Sequence, residues 1–363
     1  MSSVGERGTI LEARELVRHF GGEWTFPFGR APLIRAVDGV SLTIRRGETF
    51  AIVGESGCGK STLARLLLNL IPPTSGSVVF EGREITRAPP EEMRRLRRTM
   101  QLIFQDPFAS LNPRMTVGAL IGEPLEVHGV AKGAERRRRV AEMLRLVGLP
   151  TEYAGRYPHE FSGGQRQRIG IARALATGPR LVIGDEPVSA LDVSIRAQVI
   201  NLLEDLKAEL ALTLVLVAHD LAVIRHTSDR VAVMYLGEIV ELAERDALFE
   251  APRHPYTRSL IEAIPVPVPG ARRARRLLEG DPPSPAAPPP GCRFHTRCPF
   301  VTDICRVERP ALRDLEPGHA VACHLAEDLP ATASADLAVA EDNPGRRRVS
   351  LFAEAQRKTA SVV

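Results

Sequence analysis

Short apolar runs alternate with amphipathic segments along the first 250 residues. Residues 36–53 (AVDGVSLTIRRGETFAIV) alternate in polarity and end in the apolar run FAIV, which predicts strands. A helical pattern follows in KSTLARLLLNL, and the order helix, strand, helix, strand recurs in IARALA, RLVIGDEP, IRAQVINLLEDLKAEL and TLVLVAH. Strands that alternate with helices predict an α/β fold with a mostly parallel sheet.

Two stretches depart from this alternation and define the predicted domains. Between about 110 and 165 the chain is charged and helical, as in GAERRRRVAEMLRLVGL, which indicates a helical subdomain inside a first domain spanning 1–250. After 250 a proline-rich run, IPVPVPGARRARRLLEGDPPSPAAPPPG, cannot continue helices or central strands. We expect an extension over 251–330 and a disordered tail over 331–363.

Composition and charge narrow the classes of protein. The net charge of +4 is too small to indicate a nucleic-acid partner, and the basic runs at 135–140 and 272–276 are typical of solvated faces. No apolar run reaches the roughly 18 to 20 residues that a membrane span needs, and the N-terminus lacks a secretion signal. We therefore expect a cytoplasmic chain without disulfides, whose clustered cysteines favour metal or redox chemistry.

The run GESGCGKST (54–62) fits the P-loop pattern, because it follows an apolar strand and opens a helix. Glycines let the backbone curl so that its N–H groups point at phosphate oxygens, and the helix adds its positive end. Lys60 can reach the β- and γ-phosphates, and Ser61 can bind Mg²⁺. The predicted nucleotide-binding residues are Gly54, Glu55, Ser56, Gly57, Cys58, Gly59, Lys60, Ser61 and Thr62.

A pair of carboxylates ends the apolar strand in LVIGDEP (181–187). Asp185 lies at the carboxyl end of that strand, which is the edge where α/β sheets bind ligands, and it is predicted to hold Mg²⁺ through water. Glu186 is suited to polarise the attacking water as a general base. Together with the P-loop, this pair predicts nucleotide hydrolysis.

The run FSGGQRQRIGIARAL (161–175) contains a second turn of small residues before a helix. Ser162, Gly163 and Gly164 can offer N–H groups and a hydroxyl to a γ-phosphate, and Gln165 completes the motif. Here the sequence resembles the ABC transporter ATPases, whose signature is SGGQ. In that family the second cradle binds the nucleotide of a partner domain. The resemblance implies a dimer that encloses two ATP molecules, with Ser162 and Gly164 acting in trans.

Three more motifs match this family in its order along the chain. Gln105 in IFQDP resembles the Q-loop glutamine, which senses Mg²⁺, water and the membrane partner. Asp192 in SALD resembles the acid of the D-loop at the dimer seam. His219 in LVAHD resembles the switch histidine that contacts the γ-phosphate. The resemblance implies that Glu186, His219, Gln105 and Lys60 are catalytic and that Ser61, Gln105 and Asp185 serve Mg²⁺.

The residue that stacks on adenine is predicted from its position before the first strand. Phe20 in LVRHFGG is the favoured candidate. The stretch GEWTFPFGRAPLI lengthens the usual spacing to the P-loop, so His19, Trp24 and Phe26 remain alternatives.

Longer runs narrow the resemblance to the ATPase subunits of oligopeptide and dipeptide importers. They are IFQDPFASLNPRMTVG, GDEPVSALDVSIRAQVINLL and HPYTRSLI, and the similarity extends over about 10–326. The run EPVSALDVSI is nearest the second, F-type subunit of the paired ATPases. The resemblance implies an α/β, P-loop ABC-type nucleotide-binding domain with a helical subdomain and a small C-terminal Cys-rich extension. It implies ATP hydrolysis that powers peptide import.

The same resemblance implies the partners. They are a paired ABC ATPase subunit of the related D type, two membrane permease subunits and an extracytoplasmic peptide-binding protein, with the chain at the cytoplasmic face of the membrane. Nickel, glutathione or sugars are alternative cargoes for the same engine. A soluble non-transport ABC ATPase is a rival class, although such proteins carry two cores or long coiled coils, which this sequence lacks. A metal sensor in the extension is a third alternative.

Four cysteines cluster in the extension with the spacing C-x₅-C-x₆-C-x₁₇-C. Four thiolates can enclose Zn²⁺ or an iron–sulfur cluster, and these loops are wider than the knuckles typical of structural zinc. The segment resembles the C-terminal region of peptide-importer ATPases, some of which carry [4Fe–4S] clusters, so this cluster is the favoured cofactor over Zn²⁺ or metal-free thiols. The predicted ligands are Cys292, Cys298, Cys305 and Cys323, with His295 and His324 as possible substitutes.

A fifth cysteine, Cys58, lies inside the P-loop. A small tolerated residue is the simplest interpretation of this position. Because a helix N-terminus lowers thiol pKa values, we also expect that alkylation of Cys58 inhibits the ATPase and that bound ATP protects it.

Overall fold

Fourteen strands and eleven α-helices make up the described part of the chain, which in this computed structural model is residues 8–22, 24–25, 29–264 and 280–330. The predicted tail at 331–363 lies outside the described residues. The strands are β1 (Thr9–Phe20), β2 (Trp24–Thr25), β3 (Gly29–Arg30), β4 (Ile34–Arg45), β5 (Thr49–Val53), β6 (Ser75–Phe80), β7 (Arg83–Glu84), β8 (Met100–Ile103), β9 (Leu181–Asp185), β10 (Thr213–Ala218), β11 (Arg230–Tyr235), β12 (Glu238–Glu244), β13 (Arg313–Glu316) and β14 (His319–Val321).

The helices alternate with the central strands as the hydrophobic pattern predicts. They are α1 (Lys60–Leu67), α2 (Pro90–Leu96), α3 (Pro107–Ser110), α4 (Val117–Val127), α5 (Gly133–Leu146), α6 (Gly163–Leu175), α7 (Val193–Leu210), α8 (Leu221–Thr227), α9 (Arg245–Glu250), α10 (Pro255–Glu262) and α11 (Asp303–Val307). Two 3₁₀ turns, Thr151–Gly155 and Pro158–Glu160, connect α5 to α6.

An eight-stranded sheet in the order β13-β14-β12-β11-β5-β10-β9-β8 forms the centre of the fold. The five strands from β11 to β8 are parallel, which confirms the prediction of a mostly parallel sheet. Every residue of β5, β9 and β11 is buried, as expected for strands covered on both faces. A second, antiparallel sheet has the order β4-β1-β6-β7.

Side chains of the central sheet feed two separate hydrophobic cores, one on each face. In β5, Ala51 and Val53 pack into the core shared with the helical region, whereas Phe50 and Ile52 pack into the core shared with α1 and the antiparallel sheet. Neighbouring residues of a strand point to opposite faces, which accounts for this division. The P-loop helix and the helical region are therefore packed on opposite sides of one sheet.

The predicted helical subdomain corresponds to α4, α5 and the two 3₁₀ turns, ending where α6 begins. Thr116 caps the N-terminus of α4, because its hydroxyl accepts a hydrogen bond from the Ala119 backbone N–H at 3.3 Å. Arg173 of α6 donates to the Ser110 carbonyl at 2.6 Å and so ties the region back to the segment after β8. Both ends of the subdomain thus attach to the sheet edge that carries Gln105.

The cysteine-bearing segment continues the architecture of the first domain. Strand β14 pairs antiparallel with β12, so that Glu241 faces Val321 in the ladder. Phe294 is fully buried, and its ring centroid lies 5.3 Å from that of Tyr235 and 5.4 Å from that of Tyr256. A domain boundary at 250 stays a prediction, but the segment after it shares a sheet and a core with the residues before it.

Candidate active site

The P-loop connects the end of β5 to α1, and steric contact requires two of its glycines. Gly59 has φ of 106°, and a Cβ atom there would lie 1.9 Å from the Ala36 carbonyl oxygen. A Cβ atom on Gly54 would lie 2.2 Å from the carbonyl oxygen of Met234. The loop therefore fits closely against the neighbouring strands, which only glycine permits at these two positions.

Lys60 is the first residue of α1, and its side chain is buried. Its ammonium group donates hydrogen bonds to the Gly54 and Glu55 carbonyl oxygens, each at 2.9 Å. The charge is thereby held inside the curl of the loop. An anion bound by the backbone N–H groups of the loop would therefore lie close to the Lys60 ammonium.

Ser61 and Asp185 meet at the junction of α1 and the end of β9. The Ser61 hydroxyl donates to Asp185 Oδ1 at 2.7 Å. Burial raises the pKa of Asp185, and the hydrogen bond from Ser61 opposes that rise. A hydroxyl and a carboxylate in contact are oxygen ligands of the kind that Mg²⁺ uses in nucleotide sites, so this pair can hold the ion.

Three strand ends converge on the carboxylate of Glu186. Gln105, after β8, donates its side-chain amide to Glu186 Oε2 at 3.1 Å. His219, after β10, places Nδ1 3.2 Å from the same oxygen. Strands β8, β9 and β10 are adjacent and parallel, so their carboxyl ends lie side by side. The structure brings together the three residues that the motifs single out.

Glu186 itself adopts a constrained backbone conformation. Its φ of 47° is in the left-handed region, which costs a non-glycine residue about 1–3 kcal/mol. Its N–H donates to the Val217 carbonyl at 3.0 Å, and its own carbonyl accepts the Ser189 hydroxyl at 3.0 Å. These bonds to β10 and to the D-loop run hold the conformation. Asp192, the last residue of that run, is the N-cap residue of α7.

The SGGQ run opens α6 away from the P-loop. Ser162 and Gln165 form a reciprocal capping box, in which the serine hydroxyl accepts the Gln165 N–H at 3.4 Å. A Cβ atom on Gly164 would lie 2.4 Å from Ile195 Cγ2, so the turn packs closely on α7. Among the described residues, no hydrogen bond joins 162–165 to 54–62. Within one chain the two cradles are therefore not bonded to each other.

Phe20 is the last residue of β1, an interior strand of the antiparallel sheet, and is half-buried. The Arg18 guanidinium lies 4.5 Å from the centre of its ring. His19 is engaged by Asp38, with Nε2 3.0 Å from Oδ1. The side chain of Trp24 and all of Phe26 lie outside what the structure describes. Phe20 as the adenine-stacking residue stays a prediction.

The prediction of a reactive Cys58 is wrong. The residue is 5% exposed, and burial raises the pKa of its thiol despite the nearby Lys60 ammonium. The helix N-terminus does not compensate because the thiol points into the core shared with α1. Protonated buried thiols are poor nucleophiles.

The four cysteines of the extension line one small cavity, together with His295 and His324. All four are free thiols, and burial raises the pKa of Cys292 to about 12 and that of Cys323 to about 11. The cavity has about 10 Å³ of space, and no three His, Cys, Asp or Glu side chains in the described ranges are placed to hold a metal ion. The structure therefore does not support the predicted metal centre.

Two residues bind Glu55 of the P-loop although the sequence motifs assign them no role. Tyr256 accepts the Glu55 N–H at 2.9 Å, and Arg297 forms two hydrogen bonds with the Glu55 carboxylate. Tyr256 lies in the run HPYTRSLI, which carries part of the resemblance, but Arg297 lies 242 residues from Glu55. Only folding brings that pair together.

Comparison with known proteins supports the interpretation of this geometry as a nucleotide-hydrolysing site. Residues 37–189 match the family model described as ABC transporter, and residues 240–305 match the one described as oligopeptide/dipeptide transporter, C-terminal region. The probable peptide ABC transporter ATP-binding protein y4tS of Sinorhizobium fredii is 54% identical over 87% of this chain and 90% of its own. The oligopeptide transport ATP-binding protein AppF of Bacillus subtilis is 51% identical over 89% of this chain and 99% of its own length.

Solved structures agree with the sequence relatives. The ATP-binding cassette MJ0796, solved as a dimer in a post-hydrolysis state with ADP and phosphate, is 30% identical, with a TM-score of 0.58 over 65% of this chain and 99% of its own. The fold of the present chain, together with the residues at the carboxyl edge of its central sheet, defines an ABC-type ATPase. More narrowly, the chain belongs to the family of ATP-binding subunits of oligopeptide and dipeptide transporters.

Proposed function

We propose that this ATPase powers the import of peptides through a separate membrane permease, with Glu186 as its general base. The observation that carries the catalytic assignment is the meeting of Gln105 and His219 on one oxygen of Glu186. Oriented in this way, the carboxylate can accept a proton from a water molecule in line with the γ-phosphate. His219 donates to the phosphate oxygens, and Gln105 adjusts the carboxylate.

The P-loop side supplies binding and charge. Residues 54–62 cradle the phosphates with backbone N–H groups, and Lys60 pairs with the β- and γ-phosphates. Ser61 and, through water, Asp185 would hold Mg²⁺, which would supply positive charge to neutralise the transferred phosphoryl group. Phe20 stacks on the adenine ring.

The SGGQ cradle completes the nucleotide site of a second cassette. Ser162 has its hydrogen bonds inside its own helix cap and none to the P-loop of the same chain, which supports a role across a dimer. The second cassette is a related D-type subunit. Two nucleotides close the sandwich, and their hydrolysis reopens it, which gives a two-state element biased by ligand.

The route across the membrane belongs to partner proteins. Among the residues that the structure describes, no helix has the length and apolar character of a bilayer span. The chain works at the cytoplasmic face beside two permease subunits, and an extracytoplasmic binding protein delivers the peptide. The two relatives named for peptide and oligopeptide transport support this cargo.

The experiment is reconstitution of the chain with its permease and paired ATPase in vesicles. ATP hydrolysis should rise when a peptide-loaded binding protein is added, and labelled peptide should accumulate. Vesicles carrying Glu186→Gln serve as the control and should accumulate none. Stimulation by nickel, glutathione or a sugar in place of peptide would contradict the cargo, and a failure of the chain to associate with any permease would contradict transport.

A second proposal concerns the cysteine cavity, which we assign to a [4Fe–4S] cluster with Zn²⁺ as the alternative. The observation that favours it is that four free thiols line one cavity in the described structure. A four-iron cluster is larger than a single ion, so its thiolates stand further apart than the ligands of one metal. Binding requires the loops to move outward, since the cavity has room for about one water molecule.

Anaerobic purification followed by iron, sulfide and zinc analysis tests this assignment. About four irons and four sulfides per chain are expected, with a visible absorption band that is lost on reduction. Cys323→Ser should lose the iron, whereas Cys58→Ser, outside the cavity, should retain it. One zinc per chain would replace the cluster with a structural ion, and metal-free protein would overturn both.

A further inference from the structure

The cysteine loop, residues 292–298, contacts the P-loop through Arg297. The guanidinium donates to both oxygens of the Glu55 carboxylate, at 2.7 and 3.0 Å. The Arg297 side chain is only 5% exposed and that of Glu55 is 26% exposed. A two-pronged contact of this kind, shielded from water, fixes both position and orientation of the carboxylate.

Residues inside and outside the P-loop bind the polar groups of Glu55. Within the loop, the Glu55 carbonyl oxygen accepts hydrogen bonds from the Lys60 ammonium and from the Cys58 N–H, the latter at 3.4 Å. Tyr256 accepts its N–H at 2.9 Å, Arg297 binds its carboxylate, and Lys60 donates to its carbonyl at 2.9 Å. Tyr256 and Arg297 both belong to the chain after residue 250. The conformation of the P-loop is thus set in part by the C-terminal segment.

The other arginine of the cysteine loop, Arg293, binds two acidic residues of the neighbouring strands. Arg293 forms ion pairs with Asp38 and Glu238, and Asp38 also contacts His19, the neighbour of Phe20. The Arg293 side chain is 6% exposed. Of the two arginines that adjoin Cys292 and Cys298, Arg297 therefore contacts the P-loop directly, whereas Arg293 is connected to the neighbour of Phe20 only through Asp38.

The contact between Arg297 and Glu55 affects the binding of ATP through charge. Glu55 places a negative charge in the loop that must receive the negatively charged phosphates of ATP. The guanidinium neutralises that charge, and without it the carboxylate would repel the phosphates at short range and low dielectric. Loss of Arg297 would also free the loop, so that binding would have to order it again.

We propose that Arg297 is a positioning residue of the nucleotide site, through which the cysteine loop sets the affinity of the P-loop for ATP. The proposal rests on the assignment of residues 54–62 to phosphate binding. It predicts that Arg297 affects nucleotide affinity far more than the chemical step, because the residue contacts neither Glu186 nor the groups around it.

The test compares Arg297→Ala with Arg313→Ala in the full-length chain. Arg313 forms a two-pronged pair with Glu327 in the same C-terminal segment, at an exposed position away from the P-loop. Equilibrium binding of MgATP and steady-state ATPase kinetics are measured for both. Arg297→Ala should raise the Kd for MgATP and the KM about tenfold and should change kcat little. A tenfold change corresponds to the loss of one charge-assisted contact. Arg313→Ala should match the wild type.

Two further variants separate positioning from loss of folding. Arg297→Lys keeps the charge without the two-pronged geometry and should bind ATP with intermediate affinity. In a Glu55→Gln background, Arg297→Ala should add little, because the charge to be neutralised is absent. Equal ATP affinity in wild type and Arg297→Ala, or an undiminished effect in the Glu55→Gln background, would overturn the proposal. A wild-type chain that binds no ATP would instead overturn the proposed function.

Discussion

The side-chain amide of Gln105 lies 3.1 Å from Glu186 Oε2, although 81 residues separate them in the chain. The contact joins the ends of two adjacent parallel strands, and the helical subdomain starts just beyond Gln105. A movement of that subdomain relative to the sheet therefore changes the position of a side chain bonded to the proposed general base. Under the proposed function, such a movement would connect a permease subunit to the rate of hydrolysis.

Replacement of the proposed general base is expected to stop turnover without stopping nucleotide binding. Glu186→Gln keeps the size of the side chain but removes the proton acceptor, so phosphate release should fall about 100-fold or more. ATP should then stay bound to closed dimers, which gel filtration with labelled nucleotide would detect. Glu204→Gln, an exposed acid on α7, should leave the rate unchanged. Wild-type turnover in Glu186→Gln would sink the assignment.

The SGGQ serine is expected to matter for hydrolysis and not for ATP binding to a single chain. Ser162→Ala should leave the binding of ATP to the monomer unchanged and lower dimer turnover about 100-fold, as the loss of a donor to transferred charge does. Thr116→Ala is the matched control, because it removes the cap hydroxyl of α4 at a similar cost of about 1 kcal/mol. If both variants lose the same activity, the serine acts only as a helix cap.

Alkylation distinguishes the buried thiol of the P-loop from an exposed neighbour. Iodoacetamide at neutral pH should leave Cys58 unmodified in the folded chain and modify it in denaturant, because burial both covers the thiol and raises its pKa. Ser56→Cys supplies a control thiol at an exposed position of the same loop. Peptide mass spectrometry should find the new thiol modified first. Equal rates at the two positions would contradict the buried placement.

Acid should destabilise the chain through His254. Burial lowers the pKa of this imidazole to about 4, from 6.5 in an exposed setting. Above pH 6.5 neither state binds the proton and the full stability is present. As the pH falls towards 4, only the unfolded chain takes up the proton, so stability is lost, by roughly 1.4 kcal/mol at about pH 5.5.

The measurement is thermal unfolding as a function of pH in His254→Asn and His226→Asn. His254 accepts the Tyr256 N–H at the N-cap of α10, and asparagine can replace that acceptor without titrating. His254→Asn should therefore lose less stability in acid than the wild type. His226 is exposed, and its replacement should preserve the wild-type pH dependence. Parallel pH curves for the wild type and His254→Asn would contradict the assignment to this residue.

Local patterns were sufficient for most of the first domain. The helix predicted from KSTLARLLLNL is α1 at Lys60–Leu67, and the strand predicted from RLVIGDEP is β9 at Leu181–Asp185. Hydrophobic spacing reports which face of an element is buried, and parallel strands place their carboxyl ends on one edge. For the same reason, three separate motifs could be expected to lie near one another before the contact between Gln105 and Glu186 was seen.

Local patterns failed where burial decides the chemistry. Position in the P-loop suggested a thiol of lowered pKa at Cys58, but the direction in which the side chain points makes burial the stronger effect. Cysteine spacing alone did not show that the four thiols line one narrow cavity, and the metal centre in that cavity stays a proposal.

The amino-acid sequence by itself determined the α/β order of elements, the P-loop and the acids and amide at the sheet edge, because each depends on residues close together in the chain. Tertiary structure alone decided that β14 joins the central sheet beside β12 and that Arg297 binds Glu55. A proline-rich connector without periodicity precedes both β14 and Arg297. Its sequence carries no information about where the following segment will pack. That placement comes from the burial of Phe294 against Tyr235 and Tyr256, a contact among residues distant in the chain.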